Sequence, residues 1–334
     1  MQKKIIIVAV VLLILVALAG GALLNLLNFA ARPGSVEGVE QDVVIPPGRG
    51  LKATAADLHA RGIVTDAFKF NLYARLKGDD KRIKAGEYRL SSSYSPKKIL
   101  GIIVSGKVRL YRITIPEGLN LVQIARMMPA AGLGSEKRFT AAANDEEFAH
   151  RLDIPASSFE GYLFPDTYHF PRGVSAQKII QTMVQRFRQV FKPAWEARAR
   201  EIDMSVHQVV ILASIIEKET GEPAERPLIS SVFHNRLRRG MRLASDPTVI
   251  YGIKDFNGNL TRRDLKTRTP YNTYKIKGLP LGPISNPGAG ALEAALYPAD
   301  TDYLYFVSKK DGTHQFSKTY AAHEKAVRKY QLRR

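Results

Sequence analysis

From His207 to Thr220 the chain reads His-Gln-Val-Val-Ile-Leu-Ala-Ser-Ile-Ile-Glu-Lys-Glu-Thr. Val209 to Ile216 is apolar on nearly every side, the pattern of a helix buried all round, and Glu217 ends that run. Val210, Ala213 and Ser214 form the turn beneath Glu217, and two of them are small. A carboxyl in that position is partly desolvated, which raises its pKa and favours its neutral form at pH 7. That is the state a general acid requires. Glu219 lies about 200° round the helix from Glu217, so the two cannot share a face. The alternative for Glu217 is a helix-terminal carboxylate in an ordinary ion pair with Lys or Arg.

Other polar side chains are spaced to serve such an acid. Asn235 and Arg236 sit beside apolar helix positions in Val-Phe-His-Asn-Arg-Leu, and Ser245-Asp246-Pro247-Thr248 is a turn able to cap a helix, with Asp246 as a second carboxyl. Tyr271-Asn272-Thr273-Tyr274 is a compact aromatic and amide cluster. Sugars are held by aromatic faces and amides, so this composition suits a glycan groove, although each segment alone also fits turn chemistry. Ser95 and Lys98 have the spacing of a serine acyl-enzyme, but no Lys-Thr-Gly follows. The histidines form neither His-Glu-x-x-His nor His-x-His, and neither a phosphate-binding Gly-x-x-x-x-Gly-Lys nor a Gly-x-Ser-x-Gly elbow occurs. No metal or cofactor is expected.

The elements that must position these residues follow from periodicity. A helical region is expected from Ala176 to about Ile202, and a second from Val206 to about Thr220. A loop-rich stretch then runs to Pro298, and a strand (Tyr303 to Val307) and a basic helix from about Lys318 close the chain. Upstream, Val43-Val44-Ile45-Pro46-Pro47-Gly48 and Ile113-Thr114-Ile115-Pro116-Glu117-Gly118 open two similar units, each a β-branched run followed by an amphipathic helix. This predicts an α+β fold with a duplicated small module, the first copy at 43–110 and a second half near 113–155. Residues 111–334 form the larger mixed α/β domain.

Ile5 to Leu24 contains no polar or charged side chain, enough to cross a bilayer core of about 30 Å. Lys3 and Lys4 precede it, so residues 1–4 are expected in the cytoplasm and everything beyond the 5–27 span outside. Residues 28–42 read as a linker. A cleaved signal peptide, with processing near Ala30-Ala31, is the alternative. The chain has 50 Lys+Arg against 31 Asp+Glu, a net charge of +19, and no cysteine. The cysteine count excludes disulfide scaffolds and thiolate catalysis. Export removes nucleic acid as counter-charge and leaves anionic lipid or a carboxylate-rich wall.

The run Ala213-Ser214-Ile215-Ile216-Glu217-Lys218-Glu219, with Phe159-Glu160-Gly161-Tyr162-Leu163-Phe164-Pro165-Asp166-Thr167-Tyr168 before it and Ser245-Asp246-Pro247-Thr248 after it, resembles the endolytic murein transglycosylase (YceG-like) family. The likeness extends through Tyr271-Asn272-Thr273-Tyr274, Gly278-Leu279-Pro280 and Asn286-Pro287-Gly288, and covers nearly the whole chain. Ala244 and Leu281 depart from the family pattern, where Gln and Pro are usual. The resemblance implies a LysM-like module ahead of a catalytic domain, with Glu217 as the acid. It also implies Tyr162, Asp166, Asn235, Arg236, Ser245, Asp246, Thr248, Tyr271, Asn272, Thr273 and Tyr274 as glycan-binding candidates. The implied reaction cleaves the β-1,4 bond between N-acetylmuramic acid and N-acetylglucosamine within peptidoglycan strands, giving 1,6-anhydro ends that terminate nascent strands. The implied location is the bacterial inner membrane, and peptidoglycan synthases are a family-level expectation as partners. A muramidase using water and a non-catalytic wall-binding scaffold are the rival readings.

Overall fold

The computed structural model describes residues 2–332 and divides into two compact units, one up to Tyr111 and one from Arg112 onward. Helix α1 (Gln2–Ala31) is long and apolar enough to cross a membrane, with a mean hydropathy of 3.1 in its most apolar window. It runs past the expected end of the span at residue 27. Its last turns, through Leu26, Phe29 and Ala30, join the core of the first unit, so the first residues of the expected linker are helical and packed.

Strand β1 (Glu40–Ile45) is followed by α2 (Leu51–Ala60), α3 (Ala67–Leu76), β2 (Gly86–Ser91) and α4 (Pro96–Ser105). β1 and β2 are antiparallel, with Glu40 opposite Ser91 and Ile45 opposite Gly86. Val43, Ile45, Tyr88 and Leu90 face a core completed by Leu58, Phe70, Ile99 and Ile103. The Ser95 hydroxyl accepts from the Lys98 N–H and Pro96 occupies the first turn of α4, so this Ser-x-x-Lys is a helix cap.

Strand β3 (Leu110–Thr114) leads into α5 (Leu121–Ala130), α6 (Glu136–Ala143), α7 (Glu146–Arg151) and β4 (Thr167–Pro171), and β3 pairs with β4. The strand, helices and returning strand of the first unit have a counterpart here, with three helices between the strands where the first unit has two. In both copies the turn before the first helix carries a left-handed glycine, Gly48 at φ 78° and Gly118 at φ 76°.

The long helix expected from Ala176 is broken in two, α8 (Ala176–Val190) and α9 (Pro193–Glu201). Pro193 forces the break, because the residue before a proline is pushed out of the helical region; Lys192 has ψ 156°. Helix α10 (Val206–Glu219) opens on a capping box formed by Ser205 and Gln208. It is buried from Val209 to Ile216 and packs against α9, α11 (Arg226–Arg238), α12 (Asp246–Tyr251) and α14 (Ala289–Leu296). Each of its large apolar side chains contributes roughly 1.5–3 kcal/mol by leaving water. The expected loop-rich stretch therefore contains α12, α13 (Arg262–Lys266) and α14. The chain closes with an antiparallel hairpin, β5 (Tyr305–Ser308) and β6 (His314–Ser317), and α15 (Tyr320–Val327). α10 is the scaffold that aims the chemistry: both of its carboxyls leave from its last turn.

Candidate functional site

Glu217 and Glu219 leave α10 on different sides, and the two sides differ in kind. The Glu217 side chain is only 6% exposed. Its Oε2 accepts from the Gly288 N–H at 2.9 Å and its Oε1 from the Arg226 guanidinium at 3.2 Å. Arg226 also reaches Glu117 at 3.4 Å. Burial raises the Glu217 pKa, while the Gly288 N–H and Arg226 oppose the rise. The surrounding chain is tight: a Cβ on Gly288 would clash with the Glu117 carboxyl. The contact with Arg226 has the form of a helix-terminal ion pair, while burial keeps the Glu217 carboxyl above the ordinary range. The partners of Glu217 are none of the glycan-binding candidates.

Glu219 faces a cavity of about 420 Å³ lined also by Arg236, Ala244, Asp246, Tyr274, Tyr305, Phe306, Tyr320 and His323. Burial pushes its carboxyl up to about 7, and the Asp246 charge adds to that. The Ser245 hydroxyl, His314 and Arg236 pull the other way. Ser245 donates from its hydroxyl to Oε1, which fixes the carboxyl rotamer. Asp246 Oδ1 accepts from the Tyr274 hydroxyl at 2.6 Å. Arg236 donates from Nε to the Leu304 carbonyl at 2.7 Å and from Nη1 to that of Leu243 at 2.5 Å. Its guanidinium carbon lies 5.4 Å from the centre of the Tyr305 ring. Tyr305 in turn stacks on His323 at 5.2 Å and meets Tyr320 at 5.9 Å. The site therefore joins a carboxyl that is half protonated near neutrality to a wall of aromatic faces.

Two threonines hold the Ser245 turn from behind. The Thr273 hydroxyl accepts from the Ser245 N–H at 3.0 Å, and the Thr248 hydroxyl donates to the Ser245 carbonyl at 2.7 Å. Both threonines are fully buried and contact each other at 2.8 Å. They position Ser245 and do not reach the cavity. Ala244, just before, is held at φ 50°, a left-handed conformation costly for a residue with a Cβ. His314 is locked by Glu225, which accepts from its N–H at 2.8 Å and bonds its Nδ1 at 2.6 Å. Those contacts fix the His314 ring in place.

The remaining candidates are engaged elsewhere. Asn235 donates to the carbonyls of Thr301 and Tyr303 at 2.7 and 2.9 Å, tying α11 to the approach to β5. Asn272 is fully buried and its amide donates to the carbonyls of Asp264, Leu265 and Thr267, closing the end of α13. Tyr271 packs on Tyr251 at 4.8 Å. Asp166 pairs with Arg186 at 2.6 Å. Tyr162 is buried against Phe187 and bonds His207 at 2.8 Å, at the opposite end of α10 from Glu219 and roughly 18 Å away along the axis. These five are engaged by contacts within the scaffold, and none of them lines the Glu219 cavity.

Of the residues lining the cavity, the candidates read from sequence leave out Glu219, Ala244, Tyr305, Phe306, Tyr320 and His323. They also leave out Glu160, a buried carboxyl pushed up to about 7 by desolvation. Glu160 accepts from the Leu121 N–H, the Tyr251 hydroxyl at 2.9 Å and the Asn286 amide at 3.0 Å. It joins the start of α5, the end of α12 and the loop before α14, with no link to the cavity.

A family model described as the YceG-like family matches residues 43–329. The chain is 35% identical over 317 residues to a Bacillus subtilis (strain 168) protein named endolytic murein transglycosylase, covering 88% of each. It is 29% identical over 297 residues to a protein of that name from Streptococcus pneumoniae D39, covering 80% of this chain and 54% of the relative, so it spans about half of that longer protein. The crystal structure of a yceG-like protein from Listeria monocytogenes superposes with a TM-score of 0.60 at 36% identity, covering 87% of this chain and 100% of that one.

Proposed function

The chain belongs to the YceG-like family, and from that premise we propose that it is a lytic transglycosylase cutting peptidoglycan strands internally, with Glu219 as its acid. The observation that carries this is the Glu219 cavity. There a carboxyl raised to about 7 meets Ser245, Asp246, Tyr274 and an aromatic wall. Glu217, the acid expected from the family motif, lies on the other side of α10 in contact with Arg226 and Gly288.

Ser245 occupies Oε1 of Glu219, so Oε2 carries the proton toward the glycan. Protonated Glu219 donates to the oxygen linking N-acetylmuramic acid to N-acetylglucosamine, and the C1–oxygen bond breaks. Positive charge develops at the muramic C1, where the substrate's acetamido group and the Asp246 carboxylate stabilise it. The Glu219 carboxylate then removes the proton from the C6 hydroxyl of the same sugar, whose oxygen attacks C1. The product is a 1,6-anhydro end, and no water is consumed. One carboxyl acts as acid and then as base, unlike the two-carboxyl division of most glycosidases. The faces of Tyr305 and Tyr320 offer stacking surfaces for the sugars, and their hydrophobic area supplies binding.

The first unit supports a LysM-like role in holding glycan, through its strand–helix–helix–strand order. Lys3 and Lys4 ahead of the apolar span of α1 support a cytoplasmic N-terminus with both units outside. Such a position at the inner membrane suits termination of nascent strands beside the synthases that make them. The second reading is hydrolysis: Asp246 borders the same cavity as Glu219 and would activate water. Mass analysis of the termini released from uncrosslinked glycan in ¹⁸O-labelled water separates the two. Anhydro ends without label are the expected result, and labelled reducing ends would establish the hydrolase.

A further inference from the structure

Helix α3 buries Phe70, Tyr73 and Ala74 in the core of the first unit. Its other side leaves three large apolar residues in the open: Phe68 is 76% exposed, Leu72 38% and Leu76 62%. At about 100° per residue these fall within about 80° of one another and opposite the buried face. Arg75 and Lys69 fall at the two edges of this stripe. A solvent-facing helix in an ordinary domain carries polar residues there. Three bulky apolar side chains in line, bordered by cations, form the pattern of a helix lying in a lipid interface.

Its position in the fold agrees. The end of α1 packs on α3: Leu26, Phe29 and Ala30 share the core cluster of Phe70, Tyr73 and Ala74, and Lys69 Nζ stands 6.0 Å from the Phe29 ring. The apolar span of α1 ends at Leu24, and at 1.5 Å per residue Phe29 lies about 6–8 Å beyond it. That is the level of the headgroup region, roughly 5–8 Å thick on each side of the hydrocarbon core. The membrane leaves no slack here, because α1 continues without a break into the core that holds α3.

We infer that α3 is a second membrane contact: Phe68, Leu72 and Leu76 enter the headgroup boundary beside α1, with Lys69 and Arg75 on anionic lipid. The inference rests on α1 crossing the bilayer. It makes the first unit a collar seated on the membrane, where a tether would leave it free.

The chain has no cysteine, so single-cysteine variants of the full-length protein can carry a fluorophore without other changes. L72C and F68C would be labelled with an environment-sensitive dye, alongside L15C in the span and E147C on an exposed position of α7. All would be reconstituted in phosphatidylethanolamine–phosphatidylglycerol vesicles. Labels at 68 and 72 are expected to be roughly threefold less quenched by iodide than the label at 147, and quenched by nitroxides at the headgroup. The label at 15 should answer only to nitroxides deep in the acyl chains. Iodide quenching at 68 and 72 equal to that at 147, with 15 still deep, would overturn the inference and leave the span standing. Protection that vanishes on diluting protein in lipid would assign the stripe to a second copy and overturn it equally. A label at 15 open to iodide would remove the span and the inference together.

Discussion

At the scale of single residues, the chemistry turns on which of two glutamates faces the cavity. The 200° separation of Glu217 and Glu219 is legible from sequence, because helical geometry fixes it. Which side of α10 meets a cavity is not, since that depends on Tyr305, Tyr320 and His323 arriving from β5 and α15, far along the chain. The two positions predict different losses. E219Q should lower the cleavage rate by roughly 10²–10⁴-fold while the protein stays folded. E217A should instead lower stability by about 3 kcal/mol, because it leaves the Arg226 guanidinium in a buried setting without its main partner; thermal melts measure this. The pH response follows from the raised Glu219 pKa. The acid must be protonated, so the rate should fall as pH rises through about 7. Stability carries the same sign. Folded Glu219 holds its proton to about 7 and the unfolded chain releases it near 4.5, so ionisation costs native stability as pH rises across that window. The melting temperature of E219Q relative to wild type should therefore be higher at pH 8 than at pH 5, and a flat difference would contradict the assignment.

At the scale of elements, the buried run of α10, the caps of α4 and α10, and the duplicated strand-and-helix openings can all be read directly from residue type and spacing. The break before Pro193 is carried by the proline itself, under an apolar period that continues across it, whereas the second closing strand depends on pairing with β5, a tertiary contact. Asn235, Asn272, Thr248 and Thr273 stand out in the sequence as special positions, but the backbone groups they bond do not. A polar side chain looks the same in sequence whether its hydrogen bonds go to a sugar or to its own backbone. The loop carrying Glu160 shows how tightly the scaffold is closed. Gly161 sits at φ 87°, and a Cβ there would come within 2.6 Å of both Pro283 and Val210. G161A should thus combine backbone strain with a clash and lower stability by about 2–4 kcal/mol. Chemical denaturation of that variant would show the loss; an unchanged midpoint would mean that the loop relaxes freely.

At the scale of the whole molecule, a chain of charge +19 carries a helix, α1, long and apolar enough to cross a membrane. Binding of the protein to purified, carboxylate-rich wall should weaken severalfold between low salt and 0.5 M, since exposed charges are screened beyond a few ångströms there. Sedimentation with the wall fraction measures it. The α+β class, the two-unit division and the apolar helix were within reach of composition and periodicity. The pairing of a titrating carboxyl with an aromatic wall was not, because it is assembled only when the chain closes. Initial cleavage rates of wild type, E219Q and E217Q on purified uncrosslinked glycan, each with its fold confirmed by a cooperative melt, decide which glutamate is the acid. Near-complete loss in E219Q with substantial activity retained in E217Q is the predicted result. Wild-type turnover by E219Q, with the loss falling on E217Q, would contradict it.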